Sequence, residues 1–331
     1  MATQRRLPVV LLGAGTCAAS YARTISCRAH LQNSLDEPGV AAAVVAPSAH
    51  DPFGHAREAL LAGISVLYAA PFHLSPWQAN VLDELSGRKG LLLRFIEPFQ
   101  YQAGYSFLHR LLEGREPFWK PLYVRSLLST TPQAQARIDD LATEEIALYD
   151  SLLNAKPVRV TAIAVHRDET AQVCAASFTV EYEGGPPLHS MVSSAEALGA
   201  HQFVAVATER TVVFDQMDDQ VPLRIIGVDA DAQDVSFGQQ HGREPDDLFA
   251  KELSRYLTAV EASDSSFGNA SRWTRAAATW WAARQSMSFG GSVEVPALER
   301  TTKPPPLTVI EGGGHSSSQA RRRPALTVVA S

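Results

Sequence analysis

Gly13-Ala14-Gly15-Thr16-Cys17-Ala18 directly follows the apolar run Val9–Leu12 and precedes sequence that can form a helix. Two glycines and a small third residue at this spacing suit a strand–turn–helix passage that meets a pyrophosphate. The first glycine permits the tight turn, the second admits a close backbone approach, and the small third residue lets helix pack on strand. Amides at the helix start then face the negative charge. The same residues would also serve a plain tight turn, so the pattern alone leaves both readings open. An acidic residue about 20 positions on ordinarily completes such a site by holding the ribose hydroxyls. Asp36 and Glu37 fall near that spacing, but no apolar strand precedes them, and they read as part of a loop.

Three further groupings can carry chemistry. His50, Asp51 and His55 lie just after the second apolar run, on the side where ligands collect in open α/β sheets. A metal needs three or four well-spaced ligands, and no third His or Cys accompanies them, so no metal site is expected. Arg94 and Glu97 end a later strand, where they either touch a substrate or pair with each other or with neighbours. Cys17, Cys27 and Cys174 are an odd number without CxxC spacing, which argues against a disulfide framework and for a reducing, cytoplasmic setting. The sequence has neither a G-x-S-x-G elbow nor a P-loop lysine motif.

The elements that must position these residues change character along the chain. Strand-length apolar runs at 8–12, 40–45, 64–68 and 90–96 alternate with helix-like sequence at 17–30, 55–62 and 76–85. That alternation implies a parallel sheet covered by helices. Beyond residue 121 come strand-like runs at 122–128, 159–165, 173–182, 188–193, 201–207, 211–214 and 223–227, with one helix at 139–154. Consecutive strands joined by turns such as Gly184-Gly185-Pro186-Pro187 predict a largely antiparallel sheet. Helices from Pro245 and from about Ala270 follow, with apolar stripes of Phe249, Leu253, Leu257 and Val260, and of Trp273, Trp280 and Met287. We read both stripes as packing surface. The expected division is 1–121, 122–296 and a flexible Pro-, Gly- and Ser-rich tail at 297–331.

Composition narrows the classes of partner. Hydrophobic residues make up 45% and charged residues 19% of 331, with a net charge of −6 and one basic run, Arg321–Arg323. Nucleic-acid binding needs clustered positive charge and is not expected. No stretch approaches the roughly 20 apolar residues of a membrane span.

Taken together, the chain resembles the glucose–fructose oxidoreductase / inositol dehydrogenase (Gfo/Idh/MocA) family. The residues that carry the resemblance are Gly39–Pro47, Ala56–Pro71, Ala207–Asp215, and the closing Ser286 to Gly290-Gly291-Ser292-Val293-Glu294-Val295. It implies an α/β fold: an N-terminal Rossmann-type parallel sheet plus a C-terminal α+β domain with a largely antiparallel open sheet. The passage from Gly15 to the Val40 strand is shorter than the family's, lacking most of what holds its second and third strands. The resemblance further implies NAD or NADP, a small-molecule sugar or cyclitol substrate, and a homo-oligomer formed through the C-terminal sheet. Cofactor contacts would fall on Gly13, Ala14, Gly15, Thr16, Ala18, Ala46, Pro47 and Pro71. His55 would line the cleft between cofactor and substrate.

The departures bear on activity. Where the family's E-K-P motif carries lysine, this chain has Ala70, which can neither stabilise an alkoxide nor relay a proton. Where the family's helix carries histidine and aspartate, it has Glu144 and Ala147. Glu144 can act as a base if burial raises its pKa, and would otherwise be a solvated helix residue. Two readings follow: a divergent NAD(P)-dependent oxidoreductase using Glu144 or His55 for proton transfer, or a catalytically silent relative that binds, regulates or assembles.

Overall fold

The computed structural model describes residues 6–13, 16–69, 72, 74–97, 100, 103–112, 121–134, 136–218, 222–228, 232–235 and 245–298. The chain to Leu298 forms one compact unit. Among the described residues, two sheets organise it.

The first is parallel, with strands β1 (Pro8–Leu12), β2 (His30–Gln32), β3 (Ala42–Val45), β4 (Ser65–Tyr68) and β5 (Leu93–Phe95) in the order β2-β1-β3-β4-β5. All four residues of β3, and all four of β4, are buried, which is why they read as unbroken apolar runs rather than alternating ones. Helices α1 (Thr16–Arg28), α2 (Pro52–Leu61) and α3 (Pro76–Lys89) connect the strands. Asp51 caps α2 by accepting from the Gly54 amide. Ser75 and Gln78 form a reciprocal capping box on α3, and Gly90 ends that helix in the left-handed conformation.

Residues 17–30 were expected to be helical, yet α1 stops at Arg28 and His30–Gln32 pair with Pro8–Val10 as a strand. The three-residue β2 carries no apolar run of its own because it lies at the sheet edge, with His30 exposed and Leu31 and Gln32 half-buried. The chain then turns through Asn33–Gly39 straight to β3. Among the described residues, no helix lies between β2 and β3.

The second sheet holds nine strands in the order β13-β12-β11-β10-β6-β9-β8-β7-β14. They are β6 (Pro121–Ser129), β7 (Pro157–Arg167), β8 (Val173–Tyr182), β9 (Leu188–Ser193), β10 (Ala200–Ala207), β11 (Arg210–Asp215), β12 (Leu223–Gly227), β13 (Ala232–Val235) and β14 (Ser292–Glu294). Neighbours run antiparallel except β6 and β9, which are parallel. Helices α5 (Ile138–Leu153) and α7 (Ala270–Phe289) cover one face. Strand positions Leu122, Ile163 and Val165 are exposed. A short helix, α4 (Ala103–Leu112), joins the two sheets and was not anticipated from the sequence.

Helix α6 (Pro245–Glu261) comes late in the chain but packs on the parallel sheet. Its Phe249, Leu253, Tyr256 and Leu257 bury against Val9, Ala42, Val44 and Leu67, alongside Ile25 of α1. The apolar stripe read from the sequence is therefore packing surface.

Candidate functional site

In an open parallel sheet, ligands gather beyond the carboxyl ends of the strands where strand order reverses. Here the reversal lies between β1 and β3. Gly13 leaves β1 with φ of +139°, and a Cβ placed on it would lie 2.9 Å from the Ala46 Cβ and 3.3 Å from the Ala49 nitrogen. No side chain fits, so the turn after β1 lies hard against the turn after β3. Ala46 is fully buried, Pro47 half-buried, and Ala18 packs the start of α1 on the sheet. Thr16 begins α1. Ala14, Gly15, Ala70 and Pro71 lie outside the described residues.

The adenosine end differs from the usual arrangement. Glu37 turns back so that its carboxylate accepts from the Asn33 amide at 2.8 Å, just past β2, and the Asp36 amide donates to Ser34 Oγ at 3.2 Å. Both acids therefore sit in the turn, as the sequence indicated.

Further along the sheet, β5 runs out through Ile96 to Glu97 and opens on a cavity of about 50 Å³. Glu144, Leu148 and Ser151 of α5 line it, one helical turn apart, together with Gln100, Tyr105 of α4 and Trp273 of α7. The edge of β5 is held by Asn269, whose side-chain amide donates to the Phe95 carbonyl and whose amide oxygen accepts from the Phe95 N–H, each at 2.8 Å. Asn269 also begins α7, so the same contact fixes Trp273 against Phe72 and Phe95, at ring separations of 4.9 and 5.6 Å.

Glu97 is the most heavily engaged group in the cavity. Arg272 Nη2 donates to both its oxygens at 2.5 and 2.6 Å, Trp273 Nε1 donates at 2.9 Å and Gln100 Nε2 at 3.3 Å. Arg272 Nη1 and the Tyr105 hydroxyl both donate to Ser151 Oγ, at 3.2 and 2.9 Å. Behind this layer Arg94 pairs with buried Glu252, donates to the Phe267 carbonyl at 2.9 Å and lies 4.0 Å over the Phe267 ring. The sequence left Arg94 and Glu97 between substrate contact and ion pairing. Both are ion-paired: Arg94 is buried against Glu252 and lies 3.8 Å from Glu97, while Glu97 is also held by Arg272 and lines the cavity.

Among the described residues no guanidinium holds Glu144 in this way. Burial, then the carboxylates of Asp140 and Glu145, push its carboxyl up to about 7, with His201 acting in the opposite sense. The cavity thus joins a carboxylate locked to a guanidinium with a second carboxyl, Glu144, that burial pushes up to about 7. A buried carboxyl shifted towards neutrality in a cavity is a candidate proton-transfer group.

His55 sits in the first turns of α2, half-buried, and is not among the residues lining the cavity with Glu144. Asp51 is engaged as the α2 cap and His50 is exposed. Among the described residues no three His, Cys, Asp or Glu side chains converge as metal ligands, and no helix is long and apolar enough to cross a membrane. Tyr149 and Asp150 turn away from Glu144, as helical spacing required, and are buried in the core. Sequence reasoning missed Tyr105, because α4 was not foreseen, and treated Ser151 and Trp273 as architecture only. The Tyr105, Leu108 and Leu111 spacing is the signal that would have revealed α4.

No family model matches the sequence, and no curated protein matches it. Solved structures do. UDP-N-acetylglucosamine 3-dehydrogenase from Acidithiobacillus ferrooxidans matches with a TM-score of 0.71 at 18% identity, over 85% of this chain and 97% of that one. Levoglucosan dehydrogenase, solved with NADH and L-sorbose, gives 0.75 at 14% identity, over 88% of this chain and 100% of the other. Apo scyllo-inositol dehydrogenase from Lactobacillus casei gives 0.69 at 11% identity, over 88% and 99%. This chain shares the overall fold of these dehydrogenases. The two-sheet architecture expected from the sequence is therefore the one observed.

Proposed function

We propose that the protein is a divergent NAD(P)-dependent oxidoreductase that acts on a hydroxyl or carbonyl carbon of a sugar, cyclitol or related compound, with Glu144 as its proton-transfer group. The observation that carries this reading is the position of Glu144, on the cavity beside Glu97 with its carboxyl pushed up to about 7. A nicotinamide dinucleotide fits the cradle at Gly13, where even a Cβ would collide with Ala46. The residues that would hold it are Gly13, Ala14, Gly15, Thr16, Ala18, Ala46, Pro47 and Pro71. When bound, the cofactor supplies or accepts the hydride.

The chain's own residues supply the rest. Oxidation of an alcohol releases a hydroxyl proton, and a carboxylate with proton affinity near neutrality takes it up without being trapped in either state. Glu97, fixed by Arg272 and Trp273, has the rigidity to orient a substrate hydroxyl by accepting its hydrogen bond. Neither step needs the lysine that Ala70 replaces. His55, away from this cavity, is the weaker candidate.

Thermal unfolding with NADH or NADPH tests the cofactor step. A ligand at 100 times its Kd adds about 2.7 kcal/mol of stability. No shift with either would remove the proposal. With turnover established on a polyol panel, Glu144→Gln should abolish it while preserving the cofactor shift.

A second reading is favoured by the cavity itself. At about 50 Å³ it holds a few waters and no sugar unless the walls part. A silent relative that binds, regulates or assembles would need no larger space. Either way, exposed Leu122, Ile163 and Val165 on the second sheet support a homo-oligomer through that sheet. Its size in solution tests this directly.

A further inference from the structure

Next to Glu144 on α5, Glu145 faces the other way and is buried against the second sheet. There it meets His201 of β10, itself buried, with His201 Nε2 3.2 Å from Glu145 Oε2. The other ring nitrogen, Nδ1, lies 2.6 Å from Gln216 Oε1. Gln216 is tied to the same residue through its backbone, donating its N–H to the His201 carbonyl at 3.0 Å. Both ring nitrogens therefore face oxygen acceptors. A buried carboxylate 3.2 Å from Nε2 and an amide oxygen beside Nδ1 both favour the imidazolium. Its charge is then balanced by the Glu145 carboxylate.

The groups facing His201 can be named element by element. From α5 come Glu145, Glu144 and Tyr149; from α4, Tyr105; from the turn after β11, Gln216; and from β10 and β11, the rings of Phe203 and Phe214. Tyr149 stacks on Phe203 at 5.5 Å and is held neutral by burial. On α5, Asp140, Glu144 and Glu145 form an acidic run whose mutual repulsion acts on Glu144.

We infer that His201 is a positioning residue for proton transfer at Glu144: as an imidazolium held between Glu145 and Gln216, it pins α5 to the second sheet and neutralises the carboxylate adjoining Glu144. This rests on the proposed role of Glu144. It adds that the proton affinity of that group is set from β10, 57 residues further on. Removing the cation leaves Glu145 as an unbalanced buried charge. Its repulsion then falls on Glu144, which holds its proton more tightly.

Carboxyl and imidazole titration by carbon-13 and nitrogen-15 NMR on the full chain, without cofactor or substrate, provides the test. In the wild type, His201 should be doubly protonated at pH 7, and the Glu144 carboxyl resonance should show a second inflection when His201 loses its proton. His201→Gln should raise the Glu144 midpoint by about one pH unit, a tenfold change in proton affinity. Adding Glu145→Gln to it should bring the midpoint back. A neutral His201 at pH 7 would overturn the inference, and so would an unmoved Glu144 midpoint in a folded His201→Gln protein. Should His201→Gln fail to fold, the wild-type titrations still decide between the outcomes. Because no turnover is measured, a protein without oxidoreductase activity would refute the proposed function and leave this coupling to stand or fall separately.

Discussion

Arg272 Nη2 sits between the two carboxylate oxygens of Glu97, at 2.5 and 2.6 Å, and so keeps that carboxylate pointed at the cavity. Arg272→Met removes the nearer of two guanidinium groups and leaves a largely buried carboxylate with Trp273, Gln100 and the more distant Arg94, at 3.8 Å. The expected loss is about 1–3 kcal/mol of stability. Much of it should return in the double variant with Glu97→Gln, as urea unfolding of the two proteins will reveal.

The double hydrogen bond from Asn269 to Phe95 makes a different prediction. Asn269→Ala strands a buried backbone N–H and C=O at the edge of β5. Leaving such groups unsatisfied costs about 1–3 kcal/mol each. Asn269→Asp, able to accept but not to donate while ionised, should fall between wild type and alanine in denaturant midpoint.

At Gly13, strain and collision coincide. Gly13→Ala demands an unfavourable backbone angle and pushes a methyl into Ala46. The strain alone is of order 1–3 kcal/mol. A folded Gly13→Ala protein should also lose its thermal response to NADH and NADPH, measured side by side with wild type.

Stability should depend on pH through Asp150. Its side chain is buried on α5, with Arg275 Nε 4.0 Å away, and burial pushes its carboxyl up to about 7. The folded state thus binds this proton more tightly than the unfolded chain does. The resulting contribution is fully present below the ordinary aspartate range and is lost as pH rises towards 7. Glu144 acts in the same sense. Asp150→Asn should flatten the decline between about pH 4 and 7. If its unfolding free energy at pH 8 is no higher relative to pH 5 than in wild type, the assignment to Asp150 is wrong.

The parallel sheet was legible because β3 and β4 are buried on both faces, and unbroken runs such as Ala42–Val45 and Ser65–Tyr68 have few other uses. The second sheet was legible from turn chemistry, and three of its strands, 173–182, 188–193 and 223–227, fall where periodicity put them. What escaped were contacts without a local signature. His30–Gln32 is a strand only because Pro8–Val10 lies beside it. Glu145 and His201 are 56 positions apart, and nothing in either segment announces the other. Glu144 drew notice by its place in a motif, but its proton affinity comes from burial and neighbouring charge, which appear only after folding.

The way α6 closes over the parallel sheet bears on how the chain is made. Val9, Ala42, Val44 and Leu67 leave the ribosome well before their cover, Phe249 to Leu257. Until that helix emerges, one side of the nascent sheet stays greasy and open, a surface that chaperones recognise and that sticks to its own kind. A fragment ending near residue 121 would keep that surface permanently. Birth order, and not only the finished contacts, therefore makes the first half of this protein dependent on the second.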